Sequence, residues 1–552
     1  MQKKPKYIFV SGGVISGLGK GITTASIALL LKSHGLKVTA VKCDAYINID
    51  AGTIRPQEHG EVFVTNDGIE TDQDLGHYER FTNQNLSRFH YVTLGQIYQE
   101  VIKKERNFEY GGEDVEVVPD VPNEMIGRFK KAARASKAEV VIIEIGGTVG
   151  EYQNILFLEA NRLLKYRDKE RVLHVHVAYL PTPGFLGEMK TKPVQTSVRL
   201  LNQTMIQPDF LVCRANKPID QPRLEKLSIF CNLEKDDILS NPDVDSIYQV
   251  PLVFKEQKFD ERLLLKLGEG KRKTTIFKDW KGLIKKTKRH QKQVKIGVFG
   301  KYQKIGNYTL SDVYISVIEA IKHAAWFHKC QPEIVWFDAE EIEKNKEKIK
   351  EMKDLDGIVV PQGWGSRGVE GKLSAIKYAR EKNIPFLGLC FGMQMAVIEF
   401  ARNVIDLKNA NSEEIDPKTV CPVIHIMPKQ KEYLSKRQYG GTIRLGAWPC
   451  RLAGETQIHD LYSQYGYLRG RNLIYERHRH RYEFNLKYKD KFEKAGMKIS
   501  GTSPDGKLVE AIELDKKQHP FFIGVQFHPE YQSRPLNPHP IFLGFIKACF
   551  GS

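Results

Sequence analysis

Short apolar runs alternate with amphipathic stretches from residue 6 to about 265. KYIFVSGG reads as a strand entering a loop, TTASIALLLKSHG as a helix ended by Gly35, and LKVTAVKCD as the next strand. EVVIIEIGG (139–147), VLHVHVAYL (172–180) and FLVCRAN (210–216) have the continuous apolar character of buried strands. Strands alternating with helices predict βαβ units and a parallel sheet covered on both faces. The pattern breaks near residue 266, where a Lys-rich stretch reads as a linker carrying one short helix. It restarts with VKIGVFG (294–300), EIVWFDA (333–339), LDGIVVPQGWG (355–365) and NIPFLGLC (383–390). The expectation is two tandem, doubly wound α/β domains, 1–268 and 294–552, joined by a basic linker, 269–293. A chain of 552 residues is too long for one core.

Composition narrows the class. With 41% hydrophobic and 27% charged residues, the chain has the balance of a soluble globular protein. No apolar run reaches the ~18 residues of a membrane span. The eight cysteines form no C-x-x-C pair, so neither a zinc ribbon nor a disulfide framework is expected, and a cytoplasmic enzyme with free thiols is. The net charge of +17 suits polyanionic partners such as nucleoside triphosphates, or is solvated lysine surface. No helix-turn-helix, zinc-finger or RNP motif points to nucleic acid.

Three stretches carry chemistry. SGGVISGLGKGI resembles a phosphate loop but departs from G-x-x-x-x-G-K-[ST]: Gly13 comes one residue early, and Gly21 stands where Ser or Thr belongs. It is either a nucleotide site, with Lys20 supplying charge, or a glycine-rich turn. Glu144, at the end of a buried strand, and Asp74, in GIETDQDLGHYERF, are candidate Mg²⁺ ligands. Lys42 ends VTAVKC within reach of a transferring phosphate, and Lys190 and Lys192 flank Thr191 ahead of Gln195. In the second half, Gly388-Leu389-Cys390-Phe391-Gly392 is a thiol version of a nucleophile elbow. A cysteine opening a helix feels the positive end of its dipole. VQFHPE offers His528 as base and Glu530 to orient it. PQGWGSRG supplies a glycine turn whose N–H groups suit an oxyanion.

The second half resembles class I glutamine amidotransferases, which implies a flavodoxin-like fold. Cys390, His528 and Glu530 would form the triad, with Gly363 at the oxyanion hole. Where that family usually has two glycines after the proline, this chain has Gln362 and then Gly363. The whole chain resembles the CTP synthase family. The matching stretches are SGGVISGLGKGI, INIDAGTIRPQEHGEVFVTNDGIETDQDLGHYERF, EIGGTVG, GEMKTKPVQ, IFCN and VDSIY. The resemblance implies ATP-dependent amination of UTP through a 4-phosphoryl intermediate, with ammonia from glutamine. By position, Gly17, Leu18, Gly19, Lys20, Gly21 and Ile22 would cradle ATP phosphates, with Lys42 and Asp74 beside them and Asp243 and Val244 at the adenine. Asp74 and Glu144 would hold Mg²⁺. Ser16, Lys190, Thr191, Lys192, Pro193, Val194, Gln195 and Lys226 would hold UTP or CTP. Phe391, Gly392, Met393, Gln394, Glu414 and Arg481 would contact glutamine, and Arg444 in GGTIRLG a GTP activator. By the same resemblance, Glu151, Tyr152 and Gln153 would stand in the feedback site for CTP, where the family commonly has a DIES-like segment, so altered sensitivity to CTP is expected while synthesis itself should survive. Ala45 stands where the family more often has proline. The resemblance also implies a homotetramer, with filaments as an extension, and neither nucleic acid nor membrane as partner. The alternatives are a cobyrinic-acid-type amidase, which should lack ETDQDLGHYERF and KTKPVQ, and a non-catalytic nucleic-acid-binding protein of the same fold.

Overall fold

A computed structural model of the chain describes residues 4–551 apart from 169–170, 185–186, 271–273, 275, 289–291, 302–303, 306–307, 310 and 437. It divides into two compact units, one of Met1–Ala51 with Asp74–Ile284, the other of Gly52–Gln73 with Lys285–Ser552. Among the described residues no helix is long and apolar enough to cross a membrane.

The first unit is built on a seven-stranded sheet. From edge to edge its strands are Tyr91–Thr93, β2 (Val38–Asp44), Val140–Ile145, β1 (Lys6–Gly13), Val172–Tyr179, Phe210–Ala215 and Ile238–Pro242. Every neighbouring pair is parallel. The inner strands are apolar on both faces because helices cover both: Phe9, Val41 and Ile143 face one cluster, Ile8, Val10 and Ile142 the other. After β1 the chain turns through the glycine loop into α1 (Lys20–Ser33). A short helix, Ile276–Thr287, forms within the stretch expected to link the domains. Trp280 on it is fully buried against Phe81 and Tyr248 and donates its indole N–H to the Tyr248 carbonyl at 2.9 Å.

The second unit has a nine-stranded sheet. Gln331–Asp338, Gln293–Gly300, Gly357–Val360, Phe386–Leu389 and Phe522–Val525 run parallel. Val509–Leu514, Met497–Thr502, Arg444–Leu452 and Leu473–His480 continue it antiparallel. The strand before Cys390 lies in register beside the strand before His528, with Leu389 opposite Val525. Both residues therefore emerge from the same end of adjacent parallel strands. Residues 52–73 belong to this unit and are tied in by polar contacts. Arg477 donates to the Val64 carbonyl at 3.0 Å and to the Asn66 side chain at 2.6 Å, and Arg479 pairs with Glu70 at 2.8 Å.

Candidate functional sites

In the first unit, the loop after β1 places Gly17 and Gly19 in the left-handed region, φ 71° and 82°, and Gly19 opens α1. Its backbone N–H groups and the helix dipole make an anion-binding end. The two anomalies of the loop have steric causes. A Cβ on Gly21 would lie 1.9 Å from Oδ1 of Asp74, so the Ser or Thr of an ordinary phosphate loop does not fit. A Cβ on Gly13 would lie 1.5 Å from the hydroxyl of Ser197. Gly13 thus admits the packing of helix Lys192–Gln203, which carries Lys192, Pro193, Val194 and Gln195 of the candidate UTP residues. Ser197 belongs to a buried polar chain. His176 bonds the Ser197 hydroxyl at 2.7 Å and Ser11 at 2.8 Å, and Ser11 bonds His174 at 2.8 Å. Burial, with Lys20 nearby, pushes the His176 imidazole down to about 3, so it serves as a neutral partner.

Lys42 gathers the acids. Its ammonium contacts Asp74 and lies 3.6 Å from both Asp44 and Glu144. Tyr78 donates to Glu144. Burial, aided by the charge of Asp74 and opposed by Lys42 and Lys20, pushes the Glu144 carboxyl up to about 8. Lys20 donates to the Gly147 carbonyl at 2.9 Å. The structure thus brings Gly21, Lys42, Asp74 and Glu144 together, and adds Asp44 and Tyr78, which sequence reasoning missed. Tyr78 lies four residues after Asp74, on the same helix face, a spacing that could have pointed to it.

Other candidates are placed less centrally. Leu18 and Val194 are buried in core clusters, and Ile22 and Val244 pack at the edge of one. Asp243 pairs with Arg214 at 2.5 Å. Thr191 is buried and accepts from the Gln195 amide at 3.0 Å. Lys190 pairs with Glu188, Lys192 and Pro193 open their helix, and Ser16 and Lys226 are exposed. Glu151 and Gln153 are exposed, and Tyr152 is 96% exposed.

In the second unit Cys390 sits at φ 51°, ψ −101°, at the head of helix Phe391–Asn403. This is the strained turn a nucleophile elbow requires. A Cβ on Gly392 would lie 1.9 Å from the Val360 carbonyl oxygen, which explains the second glycine of the elbow. The Cys390 N–H donates to Val525 at 2.7 Å, and Gln526 donates to its sulfur at 3.6 Å. His528 bonds Glu530 through Nδ1 at 2.7 Å, which leaves Nε2 as the other ring nitrogen. Burial disfavours the imidazolium, but Glu530 and Cys390 outweigh it, and the imidazole is pushed up to about 10. The ring stacks on Tyr531, centroids 5.0 Å apart.

The candidate glutamine residues surround this set. Gln394 donates to the Tyr482 carbonyl at 2.9 Å. Phe391 and Met393 are buried beside it. Glu414 accepts from the N–H of Gly365 at 2.7 Å, and burial raises its carboxyl against the pull of Lys301 and Arg481. Arg481 donates to Gln430 at 3.1 Å and to the Tyr439 carbonyl at 2.9 Å. Two lysines went unread in the sequence. Lys301 donates to the Gly365 carbonyl at 2.8 Å and stands 4.3 Å over the Phe391 ring, and burial brings it down to about 8. Lys372 is fully buried, donates to the Pro361 carbonyl at 3.3 Å and is held well below the ordinary lysine value by burial. Both brace the turn that carries Gly363. Lys372 lies between Val369 and Ile376 on the apolar side of its helix, the one signal that could have exposed it. Arg444 is only 7% exposed and pairs with the buried Glu510 at 2.7 Å, away from solvent.

Residues 6–268 match the CTP synthase N-terminus family, and residues 309–548 match class-I glutamine amidotransferases. The chain is 50% identical over 549 residues to the CTP synthase of Caldanaerobacter subterraneus subsp. tengcongensis, covering 98% of each chain. It is 49% identical over 544 residues to that of Carboxydothermus hydrogenoformans, again covering 98% of each. It is 48% identical over 544 residues to that of Sulfolobus acidocaldarius, covering 99% of each.

Proposed function

The chain belongs to the CTP synthase family, and from that premise we propose how its two sites divide the ATP-dependent amination of UTP to CTP. The second unit makes ammonia. The proton of the Cys390 thiol passes first to Nε2 of His528, leaving the ring charged, and the freed sulfur attacks the carboxamide carbon of glutamine. His528 returns that proton to the leaving nitrogen, and ammonia departs from a thioester. Water, deprotonated by His528, then releases glutamate and restores the thiol. Glu530 holds the ring by Nδ1 and stabilises its charged form, in keeping with the raised basicity of His528. The N–H of Gly363 faces the developing oxyanion. By charge, Arg481 suits the α-carboxylate of glutamine and Glu414 its ammonium.

The first unit activates UTP. Backbone N–H groups of Gly17–Ile22 hold ATP phosphates, and Lys20 and Lys42 neutralise the transferring phosphoryl group as it passes to the 4-oxygen of UTP. Asp243 and Val244 flank the adenine, and Ser16, the 190–195 stretch and Lys226 hold the UTP triphosphate. Asp74 and Glu144 offer two hard carboxylates, and a Glu144 carboxyl lifted to about 8 in the absence of a divalent charge fits a site built for one. Magnesium, when bound there, neutralises triphosphate oxygens. Ammonia displaces phosphate at C4 and gives CTP. The same reading includes activation by GTP, feedback by CTP at Glu151–Gln153, a homotetramer and a cytoplasmic location. A GTP contact at Arg444 requires its pair with Glu510 to open.

The observation that carries this reading is the complete Cys390–His528–Glu530 set in a chain whose other unit gathers Lys42, Asp74 and Glu144 beside a phosphate loop. The test is CTP formation, followed by absorbance, from UTP, ATP and Mg²⁺ with glutamine or ammonia. Wild type should use both donors, and Cys390→Ala only ammonia. Glutamine hydrolysis without CTP from either donor would overturn the acceptor assignment in favour of a cobyrinic-type amidase.

A further inference from the structure

At the opposite pole of the first sheet from the phosphate loop lies a cavity of about 820 Å³. It opens where the central strands begin, at Lys6, Val38, Val140 and Val172, whereas the phosphate loop and Glu144 lie at their far ends. Its size is that of a small-molecule site. Lys4, Lys37, Lys130, Arg134, Lys137 and Arg167 line it. Among the described residues none of these six side chains is paired with a carboxylate. The two acids at the cavity are engaged elsewhere. Glu139 accepts from the Lys37 backbone N–H at 2.9 Å, and Asp168 is held by Arg171 at 2.6 Å.

Helix ends explain part of this charge. Arg134 and Arg167 fall in the last turns of Val117–Ala135 and Ile155–Arg167, where a cation offsets exposed carbonyls. The four lysines have no such account. A second observation is independent of charge. Tyr7 lies at the cavity wall, and its hydroxyl, reachable by solvent, makes no hydrogen bond among the described residues. Burial pushes this phenol up to about 12, so it remains a donor across the physiological range. Ala133 and Leu164 complete an apolar floor.

We propose that this cavity is an anion site for a small polyphosphorylated ligand, held by the lysine rim and by the hydroxyl of Tyr7. It also accounts for part of the basic excess that the reaction leaves unused.

The test is calorimetric titration of the full chain with inorganic tripolyphosphate. Wild type should show two classes of site. Lys130→Glu/Lys137→Glu should weaken one class at least tenfold, while Lys20→Ala weakens only the other. Tyr7→Phe should weaken the first class severalfold with the melting temperature retained. Arg134→Ala/Arg167→Ala, at exposed positions, repeats the test should the first pair disturb folding. An unchanged isotherm for both double variants overturns the proposal. So does an equal loss in the charge-matched control Lys348→Glu/Lys350→Glu, which would mean diffuse attraction. Loss of oligonucleotide binding with tripolyphosphate binding unaltered overturns it in favour of a nucleic-acid surface.

Discussion

At the phosphate end of the first unit, the Glu144 carboxyl is pushed up to about 8; at the thiol site of the second, the His528 imidazole is pushed up to about 10. The direction is the same and the consequence opposite. Burial and the neighbouring charge of Asp74 make Glu144 neutral at pH 7. Glu530 and Cys390 overcome burial and make His528 charged. The thiol site contains its own counter-charges. The phosphate site crowds three carboxylates around one lysine and leaves Glu144 underserved.

The sharpest break of this comparison is Glu530→Gln. Without the carboxylate, His528 loses the partner that sustains its basicity. Glutamine-dependent CTP formation should fall by about 10³–10⁴-fold while ammonia-dependent synthesis holds. The His528 pKa, read by NMR, should drop, and an unchanged value would assign its basicity to Cys390 alone. Gly21→Ser comes next. The added Cβ displaces Asp74, so synthesis with either donor should fall by about 10²-fold with glutamine hydrolysis retained. Full activity would show that Asp74 moves freely and is not held for a metal.

A smaller effect concerns stability. A carboxyl lifted from 4.5 to about 8 keeps its proton in the folded state where the unfolded chain releases it. That contribution is complete below pH 4.5 and is lost as pH rises through 8. For His528 the window is higher: complete below 6.5, lost through about 10. Melting of the first unit in chelator should therefore fall between pH 5 and 8. Glu144→Gln should flatten that fall and melt a few degrees higher at pH 8, and added Mg²⁺ should raise wild type alone. Equal pH dependence in wild type and variant would remove Glu144 from the account. The smallest effect is at Tyr152, 96% exposed. Tyr152→Ala should alter stability by no more than about 0.5 kcal/mol. Its CTP inhibition curve should move, and an identical curve would detach this turn from feedback.

Much of this was legible in the chain. Apolar runs marked the inner strands, since a parallel sheet covered on both faces needs side chains apolar on both. Gly-x-Cys-x-Gly and His-x-Glu marked the thiol site, since an elbow is local and its chemistry depends on residue type. Lys301 and Asp44 were not legible, because each matters only through neighbours supplied by other elements, and Tyr78 and Lys372 left only a faint trace in helical spacing. The place of residues 52–73 was hidden too. Their contacts to Arg477 and Arg479 span more than 400 positions.

By itself, then, the sequence determined the two α/β halves, the candidate nucleophile with its candidate base and orienting acid, and the family. These follow from periodicity and from short spacings that survive any packing. Only the tertiary structure decided why the phosphate loop is deviant. Gly21 yields to Asp74, and Gly13 to Ser197, side chains brought in from 53 and 184 residues away. The tertiary structure also decided the charge state of Glu144 and His528, because burial and neighbouring charge set a pKa, and neither is written in the order of residues along the chain.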